Sequence, residues 1–386
     1  MPLEFFEERR AIRDKQELDA SWPQRLSTGL IGLLAIGLTG FRTPCAAAVT
    51  RGLALCATTL LPALFPFFVL SGLVIETGIA QRAGRIFSPL MHRLFHLPGC
   101  GASVFLLGAL GGYPTGARAV VQLYQQRMCT KEDAQRLLSL CNNCGPGFFL
   151  GMVGGNLLGN TRDGLILWLI HLFSALAVAY LCRKHACSAN SALPACSSMS
   201  LPQALVKAIT GAMQSTLGVC GFVLFFSVLL SLMQETGILS VASRMICLFG
   251  FDPSFGNAVA SGLLEISCGI EALTKSVSSR CSKGAAAAFL LGFGGCSVLF
   301  QTMQQTEMSD LSLSPALMHK LLQATLSAFL SYLYLFFMYS LVQYHLFDVH
   351  LSNTQIIGLV TVCFLLFSVA ALVKGRKSRY NASRNR

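Results

Sequence analysis

The side chains best placed for chemistry lie beside glycine- and proline-rich breaks within apolar stretches. The first break runs Gly111-Gly112-Tyr113-Pro114-Thr115-Gly116, and the second runs Asn142-Asn143-Cys144-Gly145-Pro146. Such a break frees backbone groups that hydrocarbon cannot satisfy, so it is tolerated only where protein or a wet cavity surrounds it. The half-helix that follows points its N–H groups at that cavity. We therefore predict a ligand site whose residues here are Tyr113, Pro114, Thr115, Gly116, Asn142, Asn143 and Gly145.

Further breaks follow later in the chain, at Ser267-Cys268-Gly269 and at Gly294-Gly295-Cys296-Ser297. The agreement between the two parts of the chain favours a ligand site over the alternative, a simple helix kink or a turn at the membrane interface. We assign Gly269 and Ser297 to the predicted site. For the two asparagines, binding a ligand and tying the broken backbone together are equally compatible with the sequence.

Three charged side chains lie within or beside these segments, where charges are costly and usually functional. Arg118 follows the first break, and Glu271 has the matching place in the second part. They pair across a pseudo-symmetry axis, or Arg118 faces an anionic ligand, or both lie at the interface beyond the membrane core. Glu265 lies deeper and is a candidate buried carboxylate or proton carrier. Its alternative role is a helix–helix hydrogen bond from the protonated acid. All three are candidate site residues.

The remaining motifs indicate no enzyme. Cys141-x-x-Cys144 has the spacing of redox and zinc sites, but the chain has no second Cys-x-x-Cys. His92 and His96 are four residues apart without a nearby glutamate, which is a weak metal signal. The chain also lacks a Walker loop, a dinucleotide fingerprint and a nucleophile elbow. We predict no catalytic residue, no cofactor and no metal site.

The elements that must position these residues are membrane helices. Of the 386 residues, 53% are hydrophobic and only 12% are charged, and the mean hydropathy is +0.60. A soluble domain has about 25% charged residues, so this chain belongs in a bilayer. We predict an all-α, polytopic integral membrane protein with about 8–10 membrane segments, not all of them full spans. The segments are 27–41, 52–75, 100–116, 144–159, 163–182, 214–234, 255–270, 284–302, 321–341 and 353–373.

The same arrangement occurs twice along the chain. An aromatic-rich apolar segment leads to Glu76-Thr77-Gly78-Ile79, and a second leads to Glu235-Thr236-Gly237-Ile238. Duplicated, broken apolar segments in matching halves point to the binding site of a transporter. We predict two inverted repeats with broken or re-entrant helices. The predicted divisions are a polar leader at 1–25, a first membrane half at 26–182, a linker at 183–200, a second repeat at 201–302, membrane helices at 303–373 and a basic tail at 374–386.

The formal charge of +12 indicates the orientation of the chain in the membrane and does not indicate a nucleic-acid partner. The basic residues lie in loops and tails, where an excess of Lys and Arg marks the cytoplasmic side. The C-terminal tail carries six basic residues and no acidic one, and the leader carries five basic residues. We therefore expect both termini in the cytoplasm. No nucleic acid is predicted as a partner.

The apolar segment Leu61-Pro62-Ala63-Leu64-Phe65-Pro66-Phe67-Phe68 and the two breaks of the first half resemble signatures of the sporulation integral membrane protein family of the YlbJ type. The resemblance spans roughly residues 26–373 and is specific to the combination of motifs. That family carries the gate, or nucleoside-recognition, domain, which also occurs in spore maturation proteins, ferrous-iron transporters and concentrative nucleoside transporters.

The resemblance implies two gate-like repeats in a bacterial cell-membrane protein made in the mother cell of an endospore former. Its implied role is to move a small anionic solute, dipicolinic acid, across the outer forespore membrane. Half-helix N-termini, amides and an arginine suit two carboxylates, and Tyr113 suits a planar ring. Transport of a nucleoside or an ion is the first rival, and a structural spore-envelope role without transport is the second. A homo-oligomer, or an assembly with other sporulation membrane proteins, stays open.

Overall fold

The computed structural model describes residues 27–183, 199–307 and 309–343, and every regular element in this part of the chain is a helix. The all-α, polytopic fold predicted from composition is confirmed. The leader, the basic tail, most of the linker and the predicted segment at 353–373 lie outside the described residues.

The first half contains eight α-helices and three π-helical segments. The α-helices are α1 (Ser27–Gly40), α2 (Arg42–Leu55), α3 (Leu61–Glu76), α4 (Ile79–Leu90), α5 (Cys100–Gly111), α6 (Thr115–Gln125), α7 (Lys131–Cys141) and α8 (Thr161–Leu181). The π-helical segments are Cys56–Leu60, which joins α2 to α3, Met91–Phe95, which extends α4, and Phe148–Leu157, which precedes α8. The second break of this half separates α7 from the last of these.

The second half repeats this order from α2–α3 onward, with fewer interruptions. Its helices are α9 (Leu201–Glu235), α10 (Ile238–Cys247), α11 (Pro253–Leu264), α12 (Ile266–Lys275), α13 (Arg280–Phe293), α14 (Gly295–Thr306) and α15 (Ser314–Gln343). Helix α9 takes the place of α2–α3, the α11–α12 pair that of α5–α6, and α15 that of α8. The predicted domain boundaries stay predictions.

Five stretches of the described residues are long and apolar enough to cross a bilayer. They are Arg42–Glu76, Thr161–Leu181, Leu201–Glu235, Arg280–Thr306 and Ser314–Tyr339. A sixth results if Arg85–Phe95 and Cys100–Gly111, which bend by 104° at their junction, count as one span. The other predicted segments that the structure describes are shorter or broken helices, because glycine, proline or an extended residue ends the helix before it can cross.

The turns that end α3 and α9 have the same local structure. Gly78 and Gly237 both adopt the left-handed conformation, with φ of 72° and 77°, which glycine adopts without steric cost. The threonine before each glycine donates its hydroxyl to a carbonyl one turn earlier, Thr77 to Leu73 and Thr236 to Leu232. The repeated Glu-Thr-Gly-Ile sequence therefore builds a repeated helix end.

The arms α2–α3 and α9 pack against each other in opposite directions. The Lys207 ammonium near the start of α9 lies 2.8 Å from the Glu76 carboxylate at the end of α3. Further along the arms, a Cβ atom on Gly72 would lie 3.0 Å from the Cα of Ala208, and Gly52 faces Leu224. The elements that begin the two halves therefore run antiparallel.

Glycines let the first pair of breaks interlock. Helices α5 and α6 fold back on each other, and the carbonyl of Cys141 at the end of α7 lies between them. A Cβ atom on Gly108 would lie 1.7 Å from this carbonyl oxygen, and one on Gly116 would lie 2.0 Å from it. No larger residue fits either position without moving the backbone that carries the site.

We expect Gly116→Ala to destabilise the protein by roughly 1–3 kcal/mol, because its methyl group overlaps a backbone carbonyl that cannot rotate away. Thermal unfolding of the detergent-solubilised protein measures the change. Gly218→Ala is the matched control, since Gly218 is exposed in the middle of α9 with no atom within 4 Å of its added Cβ. An equal effect of both substitutions would contradict the interlocked packing.

Candidate functional site

The breaks of the two halves meet at Tyr113. Its hydroxyl donates a hydrogen bond to the carbonyl of Leu291 in α13 at 2.9 Å, and the bond is buried. Its ring lies 3.8 Å from the position of a Cβ atom on Gly294, the residue that separates α13 from α14. Gly112 packs against Gly145, which brings the two breaks of the first half together at the same place. The predicted site therefore has elements of both halves around it.

Lys320 of α15 lies in this region with its ammonium group inside the protein. Only 5% of the residue is exposed. Its Nζ donates to Oδ1 of Asn143 at 3.2 Å and to Oε1 of Gln323 at 2.8 Å, and it lies 5.7 Å from the centre of the Tyr113 ring. Among the described residues, no carboxylate lies within 4 Å of this nitrogen. The site thus holds a buried amino group whose hydrogen-bond partners among the described residues are all neutral.

Two neutral side chains connect Lys320 to α8. The amide nitrogen of Gln323 donates to Oδ1 of Asn143 at 3.0 Å and to the carbonyl of His171 at 3.3 Å. The backbone N–H of Cys144 donates to Nε2 of His171 at 3.3 Å. Since Nε2 accepts, the neutral imidazole carries its proton on Nδ1. We call Tyr113, Asn143, His171, Lys320 and Gln323 the lysine cluster.

Some polar atoms in or beside the cluster have no hydrogen-bond partner among the described residues. They include Nδ1 of His171 and Oδ1 of Asn142, both buried. The amide nitrogen of Asn142 is satisfied, because it donates to Thr302 of α14 at 3.0 Å. Buried polar groups are nearly always hydrogen-bonded, so these atoms mark places for water or a ligand.

A small open recess, with a cavity volume of about 20 Å³, lies among α7, α8 and α15 beside the cluster. Gln323, Arg136 and His319 are among the residues that line it. The Arg136 guanidinium donates to the carbonyl of His96 at 2.9 Å, and the His319 ring lies 3.1 Å from the Ser139 hydroxyl. The recess therefore has polar side chains in its wall and shares Gln323 with the lysine cluster.

The structure brings Tyr113, Asn142, Asn143 and Gly145 together, but it separates Arg118 and Glu271 from them. Arg118 is exposed on α6. Glu271 pairs with Lys275 one turn later on α12, at 2.7 Å. Among the described residues, no ion pair joins Arg118 to Glu271.

The other candidate residues of the first half shape the break. Thr115 donates its hydroxyl to the carbonyl of Gly111 at 3.3 Å, and Pro114 directly precedes α6. Gly116 provides the space that the carbonyl of Cys141 occupies. These three residues hold the backbone in place, and no contact joins their side chains to Lys320.

In the second half, Glu265 separates α11 from α12 and is 4% exposed. Its carboxylate accepts the N–H of Cys268 at 2.8 Å and so caps α12. Gly269 lies against Gly262, where a Cβ atom would approach to 2.2 Å. The buried hydroxyl of Ser297 has no partner among the described residues. These residues form a second polar region around the break in that half.

Two comparisons with known proteins bear on this geometry. Residues 57–181 match the family model described as Gate: Nucleoside recognition, which covers the first half from α3 to α8. The chain is also 30% identical over 302 residues to the sporulation integral membrane protein YlbJ of Bacillus subtilis (strain 168), covering 72% of this chain and 74% of the relative.

The chain belongs to the YlbJ family of sporulation integral membrane proteins. The resemblance stated from the motifs is thereby confirmed, and the protein is a gate-domain membrane protein of sporulation. No solved structure matches it.

Sequence reasoning missed the residue at the centre of this YlbJ-family site. The predicted span at 321–341 started one residue after Lys320, which placed the lysine at a membrane edge. The helix begins earlier, at Ser314, so Lys320 lies inside it. The available signal was Lys320-x-x-Gln323, two polar residues on one face of an apolar helix. His171 and Thr302 carried no comparable signal.

We expect Lys320→Met to leave thermal stability unchanged or to raise it, by up to about 4 kcal/mol, because it removes a buried charge and keeps the volume. Lys275→Met, on the exposed surface, should change stability by less than about 1 kcal/mol. Thermal unfolding in detergent measures both variants. A large loss of stability in Lys320→Met alone would mean that the ammonium mainly holds the fold together.

Proposed function

We propose that this YlbJ-family protein is a transporter that moves a small organic dianion, dipicolinate, across the membrane without chemical change. The observation that carries the proposal is the buried ammonium of Lys320, which has no carboxylate partner among the described residues. An intramembrane charge is costly, and it marks substrate or ion pathways. An anionic ligand supplies the missing counter-charge.

The chemistry around Lys320 suits a planar ring with two carboxylates. A charge-assisted hydrogen bond from the ammonium holds one carboxylate. Asn142 and the Nδ1–H of His171 supply a further acceptor and donor within the same region. The Tyr113 ring offers an aromatic surface for the pyridine ring. An uncharged nucleoside would use the amides and the aromatic ring, but it would leave the ammonium unpaired, and this favours the anion.

The antiparallel arms support transport by alternating access. We infer that the two halves are inverted repeats, related by an axis in the membrane plane, with the solute site where their broken helices meet. Movement of one half against the other would then expose the lysine cluster to each side in turn. A structural protein that only recruits partners would need neither a buried charge nor paired breaks.

The orientation follows from the distribution of basic residues. We place both termini, the linker at 183–200 and the connection between α14 and α15 in the cytoplasm. Ion pairing between Lys131 and Asp310, at 2.7 Å, supports placing the α6–α7 and α14–α15 connections on one side. The relative's role in sporulation supports the outer forespore membrane as the location, with the mother cell on the cytoplasmic side.

Topology reporters test this orientation. We expect fusions of a fluorescent protein after positions 190 and 309 to fluoresce, and alkaline phosphatase fusions there to be inactive. Fusions after positions 159 and 278 should behave in the opposite way, because inverted repeats place the matching loops on opposite sides. The two reporters at each position control for expression. The same side for positions 159 and 309 would contradict the inverted arrangement.

The transport proposal is tested by uptake of labelled dipicolinate into proteoliposomes that hold the purified protein. We expect saturable uptake, and a loss of affinity of roughly 10–100-fold in Lys320→Met, which removes a charge-assisted hydrogen bond. Asn143→Ala should also weaken uptake, because Asn143 positions the ammonium. Lys275→Met is the matched control and should transport normally.

Competition experiments separate this proposal from its rivals. Unlabelled benzene-1,3-dicarboxylate, with two carboxylates, should compete better than picolinate, which has one. Uridine should not compete. Competition by uridine with no effect of the dicarboxylates would favour a nucleoside transporter. A folded protein that takes up none of these compounds would contradict the transport proposal and leave a structural role.

A further inference from the structure

A stripe of polar side chains runs along α15 from the lysine cluster. Its members are three or four residues apart and therefore share one face of the helix. They are Lys320, Gln323, Ser327, Ser331 and Tyr334. Ser327 and Ser331 have no exposed surface at all. The lysine cluster uses only the first two members, so the rest of the stripe needs another explanation.

The hydroxyls of Ser327 and Ser331 have no hydrogen-bond partner among the described residues. Other hydroxyls in the same helices are satisfied in the usual way, by a carbonyl one turn earlier. Thr325 donates to Leu321 at 2.9 Å, and Ser174 of α8 donates to Ile170 at 2.8 Å. An orphaned hydroxyl in a protein interior leaves a hydrogen bond that water or a ligand can make.

Close packing against another helix lies at the edge of this stripe. Helix α15 does approach α13 closely, since a Cβ atom on Gly292 would lie 2.7 Å from the Cα of Ala324. The small residue of that contact is Ala324, at the edge of the stripe toward α13. The serines lie instead in line with Gln323 and Tyr334, whose side chains contact α8.

The outer end of the stripe is closed by a carboxylate. Asp163, in the first turn of α8, is 3% exposed. One of its oxygens accepts the Tyr334 hydroxyl at 2.8 Å, and the other accepts the Tyr339 hydroxyl. The Arg280 guanidinium lies 4.7 Å from the centre of the Tyr339 ring. We call Asp163, Tyr334 and Tyr339 the tyrosine latch.

The inner end of the stripe is the recess that Arg136, His319 and Gln323 line. At about 1.5 Å per residue, His319 and Tyr339 are roughly 30 Å apart along α15. The hydrocarbon core of a bilayer is also about 30 Å thick. Recess, lysine cluster, serines and latch therefore extend over a length comparable to the hydrocarbon thickness of a bilayer.

Apolar side chains close the seam between α8 and α15 in this structure. Leu167 lies on α8 between His171 and Asp163, and Leu335 lies on α15 beside the latch. Neither has exposed surface. Both approach Gly284 of α13, where a Cβ atom would lie 2.2 Å from Leu335 and 3.7 Å from Leu167. The recess is therefore open at the inner end, while the outer end is shut.

We propose that the α8–α15 seam is the path by which the transported anion leaves the lysine cluster toward the outer side. Ser327 and Ser331 donate hydrogen bonds to its carboxylates along this path, and the tyrosine latch is the outer gate. The inference rests on the proposed transport function. It adds a route, two positioning residues and a gate that the binding site alone does not require.

The serines are tested with the double variant Ser327→Ala/Ser331→Ala in proteoliposomes. We expect dipicolinate transport to fall about fivefold for each hydroxyl lost, the effect of one hydrogen bond. Equilibrium binding of dipicolinate to the purified protein should stay unchanged, because the lysine cluster is intact. Thr325→Val, which alters another face of the same helix, is the matched control. Normal transport by the double variant would overturn the path.

The latch is tested with Tyr334→Phe/Tyr339→Phe, which removes both hydroxyls and keeps the rings. We expect faster leakage of preloaded dipicolinate from proteoliposomes that hold this variant than from those with wild type. Unchanged or slower leakage would overturn the gate. If wild type binds dipicolinate but moves none, the transport proposal itself fails and the path fails with it. Wild-type flux with unaffected serine and tyrosine variants would overturn the path alone.

Discussion

A backbone carbonyl or an ammonium group at the depth of the hydrocarbon core has no bulk water to bind, so each needs a partner within the protein. This constraint explains the shape of both breaks in the first half. The carbonyl of Cys141 ends α7 without a next turn of helix, and α5 and α6 enclose it through Gly108 and Gly116. The glycines are needed because the enclosing backbone must approach closer than any side chain allows. Once the breaks interlock in this way, the position of Asn143 is fixed.

The same constraint applies to the ammonium group of Lys320. Its ammonium is solvated by Asn143 and Gln323, whose oxygens satisfy donors but bring no negative charge. A protein that needed this lysine only for stability would gain more from an apolar side chain of the same volume, because burying an unpaired charge is costly. The free-energy cost of burying this charge has a functional reason if the charge binds a ligand. The orphaned atoms of Asn142 and His171 indicate the same incomplete solvation.

The sequence predicted the helical membrane fold and the residues of the breaks, because glycine, proline and low charge act locally. It did not predict which charges face inward. Arg118 follows its break by only a few residues, but the packing of α6 on α5 and α7 turns it outward. Lys320 is far from any break in the sequence. It lies in the site because α15 packs antiparallel against α8. From the sequence, His171 was a histidine in an apolar helix with no indicated partner. In the structure, the N–H of Cys144, which follows the end of α7, donates to its ring.

The two halves share a scaffold but not a set of polar groups. The first half contributes Tyr113 and the asparagines, and the second contributes the lysine on α15. The breaks of the second half carry other polar groups, Glu265 and Ser297, so neither half alone holds the lysine cluster. The lysine cluster therefore exists only while the breaks of the first half face α15. Any motion that slides one half past the other would change the distance between Asn143 and Lys320 and, in the proposed transporter, the affinity for the anion. In the proposed transporter, a duplicated scaffold with an unduplicated site would thus couple movement of the halves to release of the ligand.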